Sequence, residues 1–285
     1  MAVITGTNNG DTLNGTEQND SIFGRAGNDT LLGLGGNDSI FGEQDNDTVY
    51  GEDGDDTIFG GDGNDTLNGG KGNNLIYGGD GNDIVSGGRN ISNPFGTGNG
   101  KDTIFGGNGN DTLSGSYSDD YLLGESGDDR LLGGTGNDKL IGRDGNDTLN
   151  GATGLTYFES GSGGGSNEID LLTGGSGKDT FSLIGDVRYD GSIVSYRSAG
   201  NNDYALITDF NKSEDVISLT KNAGTPYLNI TAEYSLGASP SGLPQGTGIF
   251  AQISNRPDAQ PELIAVVQNV SPDSLSLTDS YFSIT

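Results

Sequence analysis

Large aliphatic side chains recur along most of this chain with a period of nine residues. In each unit a Gly stands first, the aliphatic residue stands eighth, and Thr or Ser commonly precedes it, as in GGDGNDTLN at residues 60–68. The last three positions alternate in polarity, which is typical of a short strand. The first six are mostly Gly, Asn and Asp, which favour tight turns and positive φ. The pattern therefore predicts a three-residue strand and a six-residue turn in every unit.

The eighth positions predict a thin core between two parallel sheets. Strands this short cannot form a meander, but strand, turn, strand and turn can wind as one coil of two units, and successive coils can stack. One aliphatic side chain per unit would contribute about 2 kcal/mol, less than the backbone entropy of the ordered unit at about 1–2 kcal/mol per residue. The predicted fold class is all-β, a parallel β-roll that needs a further source of stability. The predicted core residues are Leu13, Ile22, Leu31, Ile40, Val49, Ile58, Leu67, Ile76, Val85, Ile104, Leu113, Leu122, Leu131, Leu140 and Leu149.

The composition also indicates too little apolar surface to stabilise a fold, and it excludes several functions. Of 285 residues 53 are Gly, only 30% are hydrophobic, and the net charge is −28, so the chain would be disordered without a partner. The absence of His and Cys excludes zinc sites built on them, Ser-His-Asp triads, thiol nucleophiles and disulfides. With 41 acidic and 13 basic residues the chain would be repelled by nucleic acid and anionic lipid. No apolar stretch reaches the length of a membrane helix.

The sixth position of the unit carries the candidate metal ligands. In a coil of two units, each of these residues lies about 4.8 Å from its counterpart in the next coil. Bare carboxylates at this spacing would repel one another, whereas hard cations between them would make coordination sites, and calcium with its oxygen ligands suits these. One position in the regular arrays departs from the pattern, Asn74, where a weak or empty site is expected. The predicted calcium ligands are Asp11, Asp20, Asp29, Asp38, Asp47, Asp56, Asp65, Asp83, Asp102, Asp111, Asp120, Asp129, Asp138 and Asp147.

The gaps between stacked sixth-position residues give eleven predicted sites, ten of them flanked by two Asp. Ten Ca²⁺ would change the net charge from −28 to about −8. Bound cations would therefore both stabilise a roll with a weak core and reduce the repulsion between its carboxylates. An alternative interpretation is that Asn and Asp only cap the turns. Turn capping alone does not tolerate columns of charge, so we expect calcium.

The unit resembles GGxGxDxUx, the nonapeptide of the RTX, or haemolysin-type, calcium-binding family. The resemblance covers about residues 6–182 and implies a calcium-filled parallel β-roll in which turn carbonyls such as those of Gly61 and Gly63 join Asp65 as ligands. Members of the family typically leave the cell unfolded through a type I secretion channel, guided by an uncleaved C-terminal signal. We expect the same secretion machinery and an extracellular or cell-surface location here, since MAVITGTNNGD lacks a signal peptide and the sequence ends in DSYFSIT.

Ninth-position residues predict an outward apolar stripe on one sheet. Two irregular stretches, residues 87–96 and 151–164, interrupt the period. If the first crosses the roll as one unit, the stripe changes sheet there; if it bulges out, the stripe stays on one sheet. The stripe is either an interface or a set of stacked side chains that only stabilises the sheet. Its members are Phe23, Phe41, Phe59, Tyr77 and, after the first interruption, Phe105, Leu123 and Ile141.

The glycine period stops near Leu183, which divides the chain into a predicted calcium-binding roll at 1–182 and a C-terminal segment at 183–285. Segments such as DYALITDF, DVISL, GIFAQIS and ELIAVVQNV predict antiparallel β structure. ITDFNKSEDVISL resembles the stretch that follows RTX repeats and implies a β cap on the roll; together with the closing segment it is similar to small RTX proteins of cyanobacteria. Asp209, Glu214 and Asp215 are either a further calcium site or an exposed acidic turn.

The sequence thus predicts a calcium-binding protein without catalytic residues in its repeats. The first interpretation is a secreted structural or cell-surface protein whose sites, at about 10⁻⁴–10⁻³ M, stay empty in the cytosol and fill outside, so that metal binding and folding are coupled. The second is an accessory module that binds carbohydrate, or adheres to a cell-surface glycan or another protein, through one sheet face. The third, an enzyme, is disfavoured because the repeats begin at Gly6 and the C-terminal segment has no His and no catalytic motif.

Overall fold

The structure, a computed structural model, describes residues 1–88, 100–152, 169–183, 204–219, 232–253 and 261–284. Most of both irregular stretches lies outside these ranges, as do the segment IVSYRS and most of YLNITAEY. Across the described ranges the secondary structure is β apart from one short 3-10 helix, Pro272–Ser274. No helix in this part of the chain has the length and apolar character needed to span a bilayer.

The strands follow the period of the sequence, one strand for each nonapeptide. Their bounds are β1 Val3–Thr5, β2 Thr12–Asn14, β3 Ser21–Ala26, β4 Thr30–Gly35, β5 Ser39–Gln44, β6 Thr48–Asp53, β7 Thr57–Asp62, β8 Thr66–Lys71, β9 Leu75–Asp80, β10 Ile84–Ser86, β11 Thr103–Asn108, β12 Thr112–Tyr117, β13 Tyr121–Ser126, β14 Arg130–Thr135, β15 Lys139–Asp144, β16 Thr148–Ala152, β17 Ile169–Ser176 and β18 Thr180–Ser182. The strands of the C-terminal segment are β19 Tyr204–Ile207, β20 Val216–Leu219, β21 Ala232–Ala238, β22 Gly246–Ile253, β23 Glu262–Gln268 and β24 Phe282–Ile284.

Successive strands alternate between two sheets. The odd sheet contains β1 and every odd-numbered strand to β19, followed by β23, β22 and β21; the even sheet contains β2 and every even-numbered strand to β20, followed by β24. Each strand of the repeats pairs in parallel with the strand one coil later, so that Ile40 lies beside Ile58 in the odd sheet and Val49 beside Leu67 in the even sheet. The all-β parallel roll with two units per coil is confirmed.

Most strands are longer than the sequence predicts. Strand β7 continues through Gly60 and Gly61 to Asp62, so the first three positions of the next unit belong to the strand. Its pairing with β9 breaks at Gly60 and resumes at Gly61 beside Gly79. Because every coil bends at the same place, backbone pairing continues beyond the bend. The prediction of a six-residue turn is therefore wrong, and the turn proper is positions four to six.

The core is the predicted row of eighth-position side chains. From Ile22 to Leu149 these residues are 0–1% exposed, and they form one continuous cluster between the two sheets. Leu13 is only partly buried, because it lies in the first coil, at the end of the stack. The core continues beyond the repeats through Leu172, Phe181 and Ile217.

Both interruptions leave the strands in register. Strand β11 lies beside β9 with Thr103 opposite Leu75, and β17 lies beside β15 with Leu171 opposite Lys139. Sheet membership does not change across either stretch, so the extra residues do not replace a unit of a coil. The alternative in which residues 87–96 cross the roll as one unit is therefore wrong.

The outward stripe consequently stays on the odd sheet. Rings stack from Phe23 to Phe105 with centroids 4.8–5.0 Å apart and interplanar angles of 2–6°. Leu123 and Ile141 continue the row in register. In a stack this close and parallel, the rings cover one another's faces and present their edges to solvent.

The C-terminal segment extends both sheets. Strands β19 and β20 run parallel to β17 and β18, so the antiparallel prediction for DYALITDF and DVISL is wrong: alternation marks a strand but not its direction. Antiparallel pairing occurs between β21, β22 and β23. Since both sheets cross residue 183, the division at 182/183 and a capping role for the C-terminal segment stay predictions.

Candidate metal centre

The sixth-position side chains form two columns, each along the edge where one sheet's strands begin. In every case the residue comes directly before a strand, or at its start, and is joined by hydrogen bonds to its counterparts in the neighbouring coils. The even column is Asp11, Asp29, Asp47, Asp65, Asp83, Asp111, Asp129, Asp147, Asp179 and Asp215. The odd column is Asp20, Asp38, Asp56, Asn74, Asp102, Asp120, Asp138 and Asp170.

The structure thus brings together all fourteen predicted ligands and adds Asp170, Asp179 and Asp215 to the columns. Asp170 and Asp179 hold the sixth position of GSNEIDLLT and GGSGKDTFS, so the nonapeptide period could have found them. Asp215 stands in NKSEDVISL, without a glycine-rich turn. The only sequence signal for Asp215 is an Asp directly before an apolar strand.

In every column carboxylate except Asp11, one oxygen accepts a hydrogen bond from the backbone of the preceding coil. Oδ1 of Asp65 accepts a hydrogen bond from the N–H of Asp47 at 2.7 Å, and Oδ1 of Asp83 accepts one from the N–H of Asp65 at 2.8 Å. The same bond crosses the first interruption, from the N–H of Asp83 to Oδ1 of Asp111 at 2.8 Å. These bonds fix each carboxylate, so the other oxygen is held in the same place from coil to coil.

In twelve of these residues the second oxygen, Oδ2, is buried and accepts no hydrogen bond. A buried charged group without a partner costs more than the roughly 1–3 kcal/mol of a neutral one, and a repeated series of such atoms requires an explanation. An ionised carboxylate oxygen can only accept, so the fitting partner is a cation. The twelve residues are Asp29, Asp38, Asp47, Asp56, Asp65, Asp83, Asp111, Asp120, Asp129, Asp138, Asp147 and Asp179.

First-position glycines leave a cradle beside each bare oxygen. A Cβ added to Gly42 would meet both Oδ2 of Asp47 and the carbonyl oxygen of Gly60, which opens the matching turn of the next coil. The same relation holds for Gly60, Asp65 and the carbonyl of Gly78. Gaps of this kind therefore pair a bare carboxylate oxygen with a backbone carbonyl, and the nonapeptide pattern alone did not indicate this first-position carbonyl.

The bare oxygens coincide with an unusual backbone conformation at the second position of the turn. Seven non-glycine residues adopt φ of 75–87° there, which costs roughly 1–2 kcal/mol each for an L-residue. Strain of this kind concentrates at functional sites. Gly61 and Gly63, whose carbonyls the family resemblance implies as ligands, also have positive φ. The non-glycine residues are Arg25, Leu34, Glu43, Glu52, Ser116, Glu125 and Arg143.

Burial raises the pKa of the column carboxyls above the ordinary value of 3.8. Desolvation, opposed by the backbone hydrogen bond, raises the pKa of Asp47, Asp56 and Asp83 to about 7 and that of Asp120 to about 8. Neighbouring aspartates in the same column add to the shift for Asp47 and Asp83. A cation beside these carboxylates would favour their charged form and lower the pKa.

The donor set fits calcium. In the described ranges no three acidic side chains converge on one point, so ligands beyond the carboxylate and the first-position carbonyl would have to be backbone carbonyls or water. Calcium accepts irregular shells of six to eight such oxygens, whereas Mg²⁺ demands a near-ideal octahedron and zinc prefers nitrogen and sulfur. When bound, calcium would neutralise the columns and bridge successive coils.

Two predicted ligands in the first coil have different surroundings. Oδ2 of Asp11 accepts hydrogen bonds from the N–H and the hydroxyl of Thr7, and Oδ2 of Asp20 accepts the same pair from Thr16. The hydroxyl of Thr16, followed by the N–H of Ala2, lowers the pKa of Asp20, in contrast to the raised values of the interior positions.

Among the described residues of the C-terminal segment, Asp209, Glu214 and Asp215 do not form a group that could hold a metal ion. Asp209 accepts the N–H groups of Gly174 and Gly175 at 3.0 and 2.9 Å. Oε2 of Glu214 accepts the amide of Asn211 at 2.6 Å, while Asp215 ends the even column. Each of the three carboxylates therefore accepts a hydrogen bond from the protein, and Glu214 and Asp215 both accept one from Asn211.

Two sheets wound in coils of two nonapeptides, with a column of buried carboxylates along each edge, define a metal-binding parallel β-roll. The chain matches the family model of the RTX calcium-binding nonapeptide repeat over residues 5–40, 32–67, 59–91, 96–131, 123–154 and 164–183. These ranges cover more than half of the chain, so it belongs to the RTX calcium-binding family, and calcium is the ion that its repeats bind.

Individual proteins give less information about this chain than the family model does. No curated protein matches the chain. Among solved structures it is similar to the solution structure of the AlgE6R3 subunit from the Azotobacter vinelandii mannuronan C5-epimerase, with 26% identity over 58% of this chain and 83% of that one and a TM-score of 0.31. A TM-score this low carries no argument about function.

Proposed function

We propose that this protein is a secreted, calcium-stabilised roll with a structural or cell-surface role. The observation that carries the proposal is the series of twelve buried carboxylate oxygens without a partner between stacked coils. Without cations each column repels itself; with cations the charge is neutralised and neighbouring coils are bridged. Calcium would then be part of the fold, and its binding energy would be folding energy.

The proposed ligands are the twelve column aspartates with a bare Oδ2, together with the first-position carbonyls of the following coil. Gap counting from the sequence predicts about ten ions, and the twelve bare oxygens of the described ranges support a number near twelve. Twelve Ca²⁺ would change the net charge from −28 to about −4. Isothermal titration of the calcium-free full chain measures this stoichiometry together with the heat of coupled folding.

Secretion through a type I channel is supported by the same coupling. Sites that bind at about 10⁻⁴–10⁻³ M stay empty in a cytosol and fill outside the cell, so the chain could be exported unfolded and fold after export. Limited proteolysis at free calcium of about 10⁻⁷ M and about 10⁻³ M tests this. Rapid digestion at the low level and protection at the high level are expected; protection at both would contradict export as an unfolded chain.

A carbohydrate-binding or adhesion role through the outward stripe is the second candidate, and the structure favours it less. Sugars stack on ring faces, but the rings from Phe23 to Phe105 cover one another at 4.8–5.0 Å. The stacking supports a stabilising role instead. A glycan array in millimolar calcium tests the choice: binding that Phe41→Ala abolishes would favour adhesion, and no binding favours the structural role.

We propose no catalytic role for the roll. The interior column carboxylates are 1–3% exposed, and each holds one oxygen on a backbone N–H, which keeps them from reaching a substrate. A panel of hydrolase and epimerase substrates, assayed with the calcium-loaded chain, is expected to give no turnover. Turnover that survives purification and disappears in one column variant would contradict the proposal.

A further inference from the structure

Three gaps in the columns differ from the twelve that have a bare oxygen, because protein donors stand where those gaps have the bare oxygen. In the first of these, the N–H and hydroxyl of Thr7 donate to Oδ2 of Asp11 at 2.6 and 2.8 Å. In the second, the N–H and hydroxyl of Thr16 donate to Oδ2 of Asp20, both at 2.7 Å. Both oxygens are therefore satisfied within their own turns.

The backbone of these two turns also differs. Thr7 and Thr16 stand at the second position, where the interior turns have positive φ, but neither of them adopts it. In the matching turn one coil later, Arg25 has a φ of 86° and Oδ2 of Asp29 has no hydrogen-bond partner. Where the sixth position is Asp, a second-position Thr with ordinary φ therefore goes with a closed turn, and a second-position residue with positive φ goes with a turn open to a cation.

The third gap is closed by Asn74. Its Nδ2 donates to the carbonyls of Gly72 and Gly87 at 3.2 and 3.3 Å. Gly87 has the place relative to this turn that Gly60 has relative to the turn of Asp47. The amide of Asn74 thus binds the carbonyl that elsewhere lies beside a bare carboxylate oxygen.

The sequence predicts that the weak or empty site at Asn74 lies between Asp56 and Asn74, but the hydrogen bonds of Asn74 indicate a different gap. The gap between Asp56 and Asn74 keeps a bare oxygen, Oδ2 of Asp56, because Asn74 turns its Oδ1 toward that side and accepts the N–H of Asp56 at 3.0 Å. The amide nitrogen faces the other side, toward the coil of Asp102. The closed gap is therefore the one between Asn74 and Asp102.

We propose that these three gaps, after Asp11, after Asp20 and after Asn74, hold no calcium, since donors of the protein replace the cation there. The second-position Thr and the amide of Asn74 then determine which turns of the roll bind metal. The proposal rests on the proposed function and departs from the expectation that Asp11 and Asp20 are ligands. It leaves the first coil as an end held by protein hydrogen bonds alone.

Counting bound calcium in isosteric variants of the full chain tests the proposal. Each protein is dialysed to equilibrium against saturating calcium, and the bound metal is measured by atomic emission. Asp11→Asn and Asp20→Asn are expected to leave the count unchanged. The interior variant Asp65→Asn is expected to lose one ion, because its new amide would bind the carbonyl of Gly78 as Asn74 binds that of Gly87.

The opposite substitution, from Asn to Asp at position 74, is expected to increase the number of bound calcium ions. Asn74→Asp removes the amide donor and places a carboxylate beside the Gly87 carbonyl, so the count is expected to rise by one ion. Asn64→Asp is the matched control: it adds the same charge at an exposed fifth position, where Asp55 and Asp128 occur naturally. The control is expected to leave the count unchanged.

The calcium counts distinguish a failure of the proposed function from a failure of the inference about the three closed gaps. A wild-type chain that binds no calcium overturns the proposed function itself. If the wild type binds calcium and Asp11→Asn or Asp20→Asn loses one ion as Asp65→Asn does, the present inference is overturned. A folded Asn74→Asp chain with an unchanged count overturns it as well; if that variant fails to fold, the Asp11 and Asp20 variants decide.

Discussion

At the scale of the residue, the second position of the interior turns combines close packing against the preceding coil with a positive φ. Gly61 has a φ of 121°, and a Cβ there would meet the backbone of Glu43 in the preceding coil. Glu43 occupies the same position with a φ of 81°, where its own Cβ is accommodated. The same second position therefore accepts a side chain at Glu43 but not, without displacement of the preceding coil, at Gly61.

We expect Gly61→Ala to lower the free energy of unfolding in saturating calcium by roughly 1–3 kcal/mol, because the alanine would be strained and would displace the neighbouring coil. Glu43→Ala, at the same position one coil earlier, is the matched control and is expected to change it by about 0.5 kcal/mol or less. Chemical denaturation of both variants measures the difference. Equal effects would show that the contact with the neighbouring coil does not limit this position.

Single residues also show where sequence reasoning stops. The sixth-position Asp and the eighth-position aliphatics could be predicted, because a strict period leaves them on one edge and one face of the coil. The closed turns of Thr7 and Thr16 could not, since they depend on the local φ and on which donor reaches Oδ2. For the same reason the sequence located the irregularity at Asn74 but not the gap that its amide faces.

At the scale of the element, the strands exceed the prediction because pairing resumes after each bend. Alternation of polarity identified β19 and β20 as strands, but their parallel direction follows from the coil and not from composition. The stripe of ninth-position rings could be predicted as a row. Its continuity across residues 87–96 required the register, in which Phe105 lies beside Tyr77.

The stacked rings give an element-scale prediction. We expect Phe41→Ala to lower the free energy of unfolding in saturating calcium by roughly 1–3 kcal/mol, because it removes two ring contacts as well as buried area. Leu32→Ala is the control at the equivalent position of the even sheet, where the neighbours are Asn14 and Tyr50, and a smaller loss is expected. Similar losses for both variants, measured by thermal unfolding, would argue against a special contribution from stacking.

At the scale of the whole molecule, charge and core explain why the roll needs a metal. The core has only one aliphatic side chain per nonapeptide, and in the described ranges the columns place ten even-edge and seven odd-edge aspartates in line. Neutralisation is therefore required for folding, either by cations or by protons.

The calcium-free chain should accordingly depend on pH in an unusual direction. The pKa of Asp47, Asp83 and Asp129 is about 7 in the roll, above the ordinary value of 3.8. Between these values the roll binds more protons than the unfolded chain, so its stability falls as pH rises. In a chelating buffer we expect more β structure by circular dichroism near pH 4 than near pH 8. A β signal that does not change with pH would contradict this dependence of stability on pH.

The most direct test of the central claim is a calcium titration of the full chain at neutral pH, with far-ultraviolet circular dichroism and bound calcium measured on the same samples. The account predicts a largely disordered chain in chelator and a cooperative gain of β structure as about ten to twelve ions bind. A chain with its full β signal in chelator, unchanged on addition of calcium, would contradict the claim that cations between the coils hold the roll together.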